Sequence, residues 1–172
     1  MVTPKRPDIA GREVDPLNAR AARVAALDAL ARRDHASGEL RRKLRDKGYD
    51  AGVVDEIVDR LVNEKLLDDR RYLQNFVAYH AARGQGPNRV RADLRKLGLQ
   101  MPEADTVLDE YPDWIAQLKR ARQKKFGTSL PTNYADRQRQ ARFLAYRGYT
   151  GAQIRATFGF DTDLDADTTE EP

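Results

Sequence analysis

Three stretches of the chain repeat one pattern at a spacing of fifty residues: LRRKLRDKGYDAGVVDEIV (40–58), VRADLRKLGLQMPEADTVL (90–108) and QARFLAYRGYTGAQIRATF (140–158). They align without a gap, and several columns of the alignment keep one kind of residue. One column is leucine (Leu44, Leu94 and Leu144), one is glycine (Gly48, Gly98 and Gly148), and two are apolar (Val54, Ala104 and Ile154; Val58, Leu108 and Phe158). A fixed period of this length predicts a protein built from tandem structural units.

Each repeated glycine is predicted to close a helix. Cations such as Arg45 and Lys47 precede it, and positive charge is favourable at a helix C-terminus. Glycine readily adopts the left-handed conformation that ends a helix, and the apolar residue after it folds back on the last turn. A short helix then begins, because Thr150 and Gln153 have capping-box spacing and Pro102 suits a first helical position.

An amphipathic run lies upstream of each motif. The first begins at Asp15–Pro16, and its stripe is Val24, Leu27, Leu30 and Ala31. The second begins at Asp68–Asp69, with the stripe Tyr72, Phe76, Tyr79 and His80. The third follows Pro112–Asp113, with the stripe Ile115, Leu118, Ala121 and Arg122. No segment alternates as a strand does, so we predict an all-α fold of three tandem three-helix repeats in an elongated, curved array.

The repeats divide the chain into five segments. Residues 1–15 form an N-terminal extension, expected to be flexible. Repeat 1 spans 16–65, repeat 2 spans 66–111, and repeat 3 spans 112–160. The tail, 161–172, holds six acidic residues and no basic one, and a segment of one charge sign and low hydrophobicity is expected to be disordered.

The composition of the chain indicates its cellular location and the kind of partner that it binds. The chain has no cysteine, which excludes disulfides and thiolate metal sites. No stretch reaches the ~20 apolar residues of a membrane span, and the first residues lack a signal-peptide core, so we expect a cytoplasmic protein. Residues 20–160 carry 28 basic and 18 acidic side chains, which suggests a polyanionic partner or an acidic protein surface. The alternative is that these charges are ordinary solvated helix surface.

Catalytic groupings do not stand out in the sequence. The two histidines, His35 and His80, lack a second ligand at helical metal-site spacing and are interpreted as structural. The run GQGPNRV (84–90) lacks the Lys-Ser/Thr ending of a phosphate-binding loop, so we interpret it as a turn with Pro87 at the next helix start. We therefore expect a protein that is not an enzyme, with no catalytic, cofactor-binding or metal-binding residues.

The third repeat concentrates basic charge. Between 119 and 147 there are nine basic residues and one acidic residue, Asp136. The basic residues are Lys119, Arg120, Arg122, Lys124, Lys125, Arg137, Arg139, Arg142 and Arg147. Aromatic residues lie among them, and that mixture suits phosphate contact and base stacking. The alternative places Phe126 and Phe143 in the core; we expect this for Phe143, which neighbours the leucine column.

The middle repeat resembles a known signature. LLDDRRYLQNFVAYHAARGQGPNRVRADLRKLGL (66–99) is similar to the RecX family of recombination regulators in its LDD helix start, aromatic helix, Arg-Gly-x-Gly-Pro turn and Leu-Gly-Leu ending. The resemblance extends over about 20–160. It implies three tandem three-helix repeats and binding in the groove of the RecA–DNA filament, which restrains ATP hydrolysis and strand exchange by RecA. The resemblance implies that the nucleotide belongs to RecA, so we expect the chain to need no cofactor. We also expect no small-molecule substrate and no membrane partner.

The resemblance also nominates contact residues. Those in the signature are Arg83, Arg89, Arg91, Arg95 and Lys96, and the basic cluster of the third repeat joins them. The resemblance implies that some members of the family bind DNA directly, so we expect these side chains to contact either acidic RecA surface or DNA phosphate. Two other interpretations stay open: a stand-alone helical DNA-binding protein, and a general helical-repeat scaffold for protein partners.

Overall fold

The computed structural model describes residues 14–97 and 103–158. All regular structure in those ranges is helical: α1 (Ala19–Arg32), α2 (Ser37–Asp46), α3 (Ala51–Asn63), α4 (Asp69–Ala82), α5 (Pro87–Lys96), α6 (Glu103–Glu110), α7 (Trp114–Phe126), α8 (Tyr134–Tyr146) and α9 (Gly151–Phe158). The predicted all-α fold of three tandem three-helix repeats is confirmed. The expectations for the extension up to residue 13, for Gly98, Leu99 and Pro102, and for the acidic tail lie outside the described residues.

The chain divides into two compact units, and the boundary along the sequence falls in α4, between Leu73 and Gln74. The core of the first unit is built from α1, α2, α3 and the segment after α3. Its buried residues are Ala22, Ala26, Ala29, Leu40, Leu44, Val54, Ile57, Val58, Leu61 and Leu67. The helices bury the leucine and apolar columns of the first repeat, as the alignment predicts.

The predicted stripe of α1 is wrong. Val24 is 53% exposed and Leu27 lies on the same outer side, whereas the buried face consists of Ala22, Ala26 and Ala29. These three alanines follow helical spacing, and small side chains let two helix axes approach closely. The larger aliphatic residues of α1 therefore stay on its outer side, except Leu30, which packs partly against the core.

The second unit holds the end of α4 and the helices α5 to α9. Its buried side chains include the repeated columns Leu94, Leu144, Ala104, Ile154, Leu108 and Phe158. Trp114 is also buried, and its indole N–H donates a hydrogen bond to the Leu108 carbonyl at 2.8 Å. In α4 the predicted aromatic stripe is wrong: Leu73, Val77 and Ala81 are buried, and Tyr79 is exposed. The branched aliphatic residues and alanine fill the small core, and the rings lie along its edge.

Glycine closes two helices as predicted. Gly48 has φ 101° and Gly148 has φ 90°. After α8, the Gly148 N–H donates to the Ala145 carbonyl at 2.8 Å and the Tyr149 N–H donates to the Leu144 carbonyl at 3.1 Å. This is the Schellman arrangement, which satisfies carbonyls left without partners at a helix end.

The predicted helix starts are mostly right. The capping box before α9 is confirmed, with Thr150 N–H donating to Gln153 Oε1 and Gln153 N–H donating to Thr150 Oγ1. The start of α1 at Asp15–Pro16 is wrong, because those residues form a turn and Asn18 is the cap. Its Oδ1 accepts a hydrogen bond from the Ala21 N–H at 2.9 Å.

Candidate functional site

A groove of about 410 Å³ lies in the second unit, between the end of α4 and the helices α7 and α8. Small and apolar residues line part of it: Ala82, Gly84, Ala121 and Phe143. Five basic residues surround them: Arg83, Arg120, Lys124, Lys125 and Arg147. No carboxylate is among its lining residues. We call this site the basic groove, and its charge suits an anionic ligand.

The turn after α4 shapes the groove. Gly84 has φ 77°, its N–H donates to the Ala81 carbonyl at 2.8 Å, and the Gln85 N–H donates to the His80 carbonyl at 3.2 Å. A Cβ at Gly84 would lie 3.1 Å from the Ala121 Cβ. Glycine therefore serves both the left-handed turn and the close approach of α7.

Two glycine turns meet backbone to backbone beside the groove. The Gly86 N–H donates to the Arg147 carbonyl at 2.8 Å, and the Asn88 N–H donates to the Gly148 carbonyl at 3.0 Å. A Cβ at Gly86 would lie 2.4 Å from the Gly148 carbonyl carbon, so no larger residue fits there without a shift of the backbone. The Arg-Gly-x-Gly-Pro turn thus joins the second repeat to the third. Sequence reasoning missed this joint, although two glycines at such short spacing signal a close backbone contact.

Three of the groove's cations are uncommitted. Arg120, Lys124 and Lys125 are exposed on α7, and none of the hydrogen bonds or ion pairs within the described part of the chain involves them. Their charges are therefore available to an anionic ligand, with no internal partner to displace.

The other two cations of the groove, Arg83 and Arg147, also make contacts within the fold. The Arg83 guanidinium lies 5.4 Å from the centre of the Tyr79 ring and donates to its hydroxyl. Arg147 lies 5.0 Å from the centre of the Phe143 ring and donates to the Arg83 carbonyl at 3.1 Å. These contacts fix both guanidiniums at the groove.

The predicted contact residues of α5 lie outside the groove lining. Arg91 Nε donates to Asp105 at 2.7 Å, and the residues fifty positions earlier, Arg41 and Asp55, make the same pair at 3.2 Å. This ion pair is thus a repeated structural contact between two helices of one repeat. Other α5 cations are exposed; Arg89 and Lys96 lie near Asp93, at 3.4 and 4.0 Å, and Arg95 makes no ion pair among the described residues.

Arg122 does not belong to the contact surface that the sequence suggested. It is only 3% exposed. Its guanidinium donates to the carbonyls of Ser129 and Thr128, each at 2.9 Å, and to Gln140 Oε1 at 3.2 Å. A buried guanidinium needs such acceptors. Arg122 therefore anchors the loop between α7 and α8, and no ligand reaches it.

The other cations of the third repeat lie outside the lining of the groove. Arg139 pairs with Asp136 at 2.6 Å, and half-buried Arg137 donates to the Thr132 carbonyl at 3.3 Å. Lys119 on α7 and Arg142 on α8 are exposed. None of these four lines the basic groove.

Phe143 is half-buried, which corrects the expectation that it is a core residue. It meets Phe126 edge to face, with ring centres 5.2 Å apart, and its outer side lines the groove. Its side chain thus lies between the core and the site.

The histidines have structural partners. His35 is 2% exposed; its Nδ1–H donates to the Arg33 carbonyl at 2.9 Å, and its Nε2 accepts from Lys43 Nζ at 3.2 Å. Burial lowers the pKa of His35. His80 stacks on Phe76, with ring centres 4.1 Å apart. Across 14–97 and 103–158 there is no group of three or more His, Cys, Asp or Glu residues arranged to hold a metal ion. Within the same ranges, every helix is too short or too polar to span a membrane.

Comparisons with known proteins agree on one family. The description "RecX, first three-helix domain" matches residues 22–61, "RecX, second three-helix domain" matches 68–108, and "RecX, third three-helix domain" matches 113–158. "Regulatory protein RecX" of Ectopseudomonas mendocina (strain ymp) is 46% identical over 134 residues, which are 77% of this chain and 89% of that protein. The protein of the same name from Halorhodospira halophila is 42% identical over 137 residues, covering 79% and 85%.

Solved structures show the same fold. The crystal structure of RecX from Lactobacillus salivarius superposes with a TM-score of 0.70 at 20% identity, and the alignment covers 82% of this chain and 94% of that chain. A second crystal structure of regulatory protein RecX gives a TM-score of 0.64 at 18% identity, with 82% and 71% covered.

Proposed function

This chain belongs to the RecX family of regulatory proteins, and we propose that it binds the RecA–DNA filament and restrains ATP hydrolysis and strand exchange by RecA. Its own chemistry is binding: the nucleotide is bound and hydrolysed by RecA, and this chain uses no cofactor. The proposal places it with its partner in the cytoplasm.

The basic groove is the observation that carries the proposal. It combines five cations with no lining carboxylate, and Arg120, Lys124 and Lys125 are exposed without internal partners. A filament of protein on DNA presents acidic side chains and phosphates in a regular array, and such a surface attracts a site of this charge.

Tandem repeats suit a filament partner. Three modules joined in one chain bind neighbouring protomers together, because the first contact raises the effective concentration of the next. Exposed ion pairs are individually weak, so binding of this kind depends on several contacts acting at once.

The test is the DNA-dependent ATPase rate of RecA on preformed filament, measured as this protein is titrated. We expect the rate to fall to a plateau at saturation, while the protein alone hydrolyses no ATP. A rate that stays constant at saturating protein would contradict the proposal.

A second candidate is a stand-alone DNA-binding protein, and the uncommitted cations of α7 favour it as well. The discriminating measurement is affinity for DNA without RecA across a range of salt concentrations. Binding to bare DNA that is as tight as binding to the filament would favour this second function, because RecA then adds nothing to the contact.

A further inference from the structure

Tyr146 is an aromatic residue that the fold does not use. It lies at the end of α8 and is 83% exposed. Among the described residues it takes part in no hydrogen bond and no ring contact. Its ring therefore adds little to the folded state and is open to a ligand.

The repeat shows that this position does not require a ring. The equivalent residues fifty and one hundred positions earlier are Lys96 and Asp46, and both are exposed and charged. The three-helix unit thus accepts an ordinary polar side chain here. The aromatic residue is a feature of the third repeat, which also carries the basic groove.

Tyr146 is close in the chain to two residues that line that groove: Phe143, three positions earlier on α8, and Arg147, the next residue at the C-cap. Side chains three apart on a helix lie about 5–6 Å from each other, which brings the Tyr146 ring beside Phe143 at the rim of the groove. Arg142, one turn earlier, is exposed and makes no hydrogen bond or ion pair with the described residues. An exposed aromatic ring therefore lies on the helix between two basic residues, Arg142 and Arg147.

We infer that Tyr146 is a base-stacking residue and that the basic groove with this rim binds a single-stranded nucleic acid. The groove cations neutralise backbone phosphates, and the tyrosine ring stacks on one unpaired base. This inference rests on the proposed function, in which the groove is the contact surface. A duplex covers its base faces with neighbouring bases, so an isolated ring at a groove rim gains from a single strand only.

The test compares a labelled oligodeoxythymidylate of about 15 nucleotides, the size range of single-strand sites, with a duplex of the same length. We expect Tyr146→Ala to weaken single-strand binding roughly tenfold, as the loss of one stacked base predicts, and to leave duplex binding unchanged. Tyr146→Phe is expected to keep the affinity, because stacking uses the ring. An oligouridylate of equal length shows whether RNA binds in the same way. Equal binding supports the stacking role and extends the ligand class to single-stranded DNA and single-stranded RNA.

Tyr134→Ala is the matched control. Tyr134 is on the same helix and 64% exposed, but it lies about 18 Å from Tyr146 along the helix axis. We expect this variant to bind the single strand like the parent protein. Equal weakening by the two alanine variants would overturn the inference.

Three other outcomes would also overturn the inference. Two of them are unchanged single-strand binding by Tyr146→Ala, and an equal loss for strand and duplex. The third is weaker binding to the RecA filament with unchanged binding to the oligonucleotide, which would assign the ring to a protein contact.

Restraint of the RecA ATPase is measured in parallel with the parent protein. If the ATPase is restrained but stacking fails, the proposed function stands without this inference; if stacking holds but the ATPase is unaffected, the proposed function fails alone.

Discussion

Asp68 and Asp69 are adjacent in the chain and yet cap two different helices. Asp68 Oδ1 accepts the Arg71 N–H at 2.9 Å and caps α4. The Asp69 carboxylate accepts the Ser37 N–H and the Ser37 hydroxyl, each at 2.6 Å, at the start of α2. Helix α2 has no side-chain cap from its own N-cap residue, Ala36. The paired acid of the LDD motif therefore satisfies donors at two helix ends, and each such bond is worth about 1 kcal/mol.

The buried imidazole of His35 makes the stability of the first unit depend on pH. Burial lowers its pKa, so the folded state favours the neutral ring that accepts from Lys43. The stabilisation is complete above the unfolded pKa of about 6.5 and is lost as the pH falls through the lower folded value. We expect the denaturant midpoint to fall between about pH 7 and pH 5 in the parent protein, and to fall less in His35→Gln.

The variant His80→Gln controls for the loss of a histidine. A parallel loss of stability in the parent protein and in His35→Gln would show that other groups cause the pH dependence.

Helix ends were more predictable than helix faces. Short-range backbone chemistry determines the glycine column, the Thr150 capping box and the start of α4. Each depends only on residues that are close together in the sequence. The buried face of α1 was not predicted, because alanine contributes little to a hydrophobic pattern. Ala22 and Ala26 are core residues because α2 and α3 pack close to them. The face of α4 was missed because aromatic residues outweigh Val77 in such a pattern, although the small core takes the smaller side chain.

The end of α3 is strained where the end of α2 is not. Lys65 has φ 57° and makes the glycine-type closure, with its N–H donating to the Val62 carbonyl at 2.9 Å. A left-handed conformation costs a non-glycine residue about 1–2 kcal/mol. We expect Lys65→Gly to raise the free energy of unfolding by about 1 kcal/mol, measured by urea denaturation.

Lys47→Gly is the matched control for that substitution. Lys47 has φ −75° at the C-cap of α2, so glycine there relieves no strain and should destabilise the protein. A stabilisation of equal size in both variants would refute the strain at Lys65.

The sequence predicted the basic residues of the candidate site but not the groove in which five of them come together. All five cations of the basic groove were among the fourteen nominated, but the sequence could not separate them from Arg91, which repeats an internal ion pair, or from buried Arg122. That separation depends on which carboxylates and carbonyls lie within reach in the folded chain. The elongated, curved arrangement of the repeats stays a prediction.

The acidic tail is predicted to affect binding through its charge. Residues 161–172 carry six acids and no base in the same chain as the basic groove, so we expect them to compete with an anionic partner at high effective concentration. We expect deletion of 161–172 to tighten binding to the RecA–DNA filament, most at low salt, because charges are screened over about 10 Å at 0.1 M. A tail of equal length with all six acids replaced by amides should act like the deletion. Unchanged affinity of both variants at low salt would show that the tail does not compete.

The measurement that tests the groove most directly is the affinity of charge-reversed variants for the RecA–DNA filament at two salt concentrations. Arg120→Glu with Lys124→Glu changes two uncommitted groove cations, and Arg32→Glu with Arg42→Glu makes the same charge change at exposed positions of the first unit. We expect the groove variant to bind at least about tenfold more weakly at low salt, with a smaller difference at high salt, and the control to bind nearly as the parent protein does. Equal weakening of the two variants, or no weakening of either, would contradict the assignment of the basic groove as the contact surface.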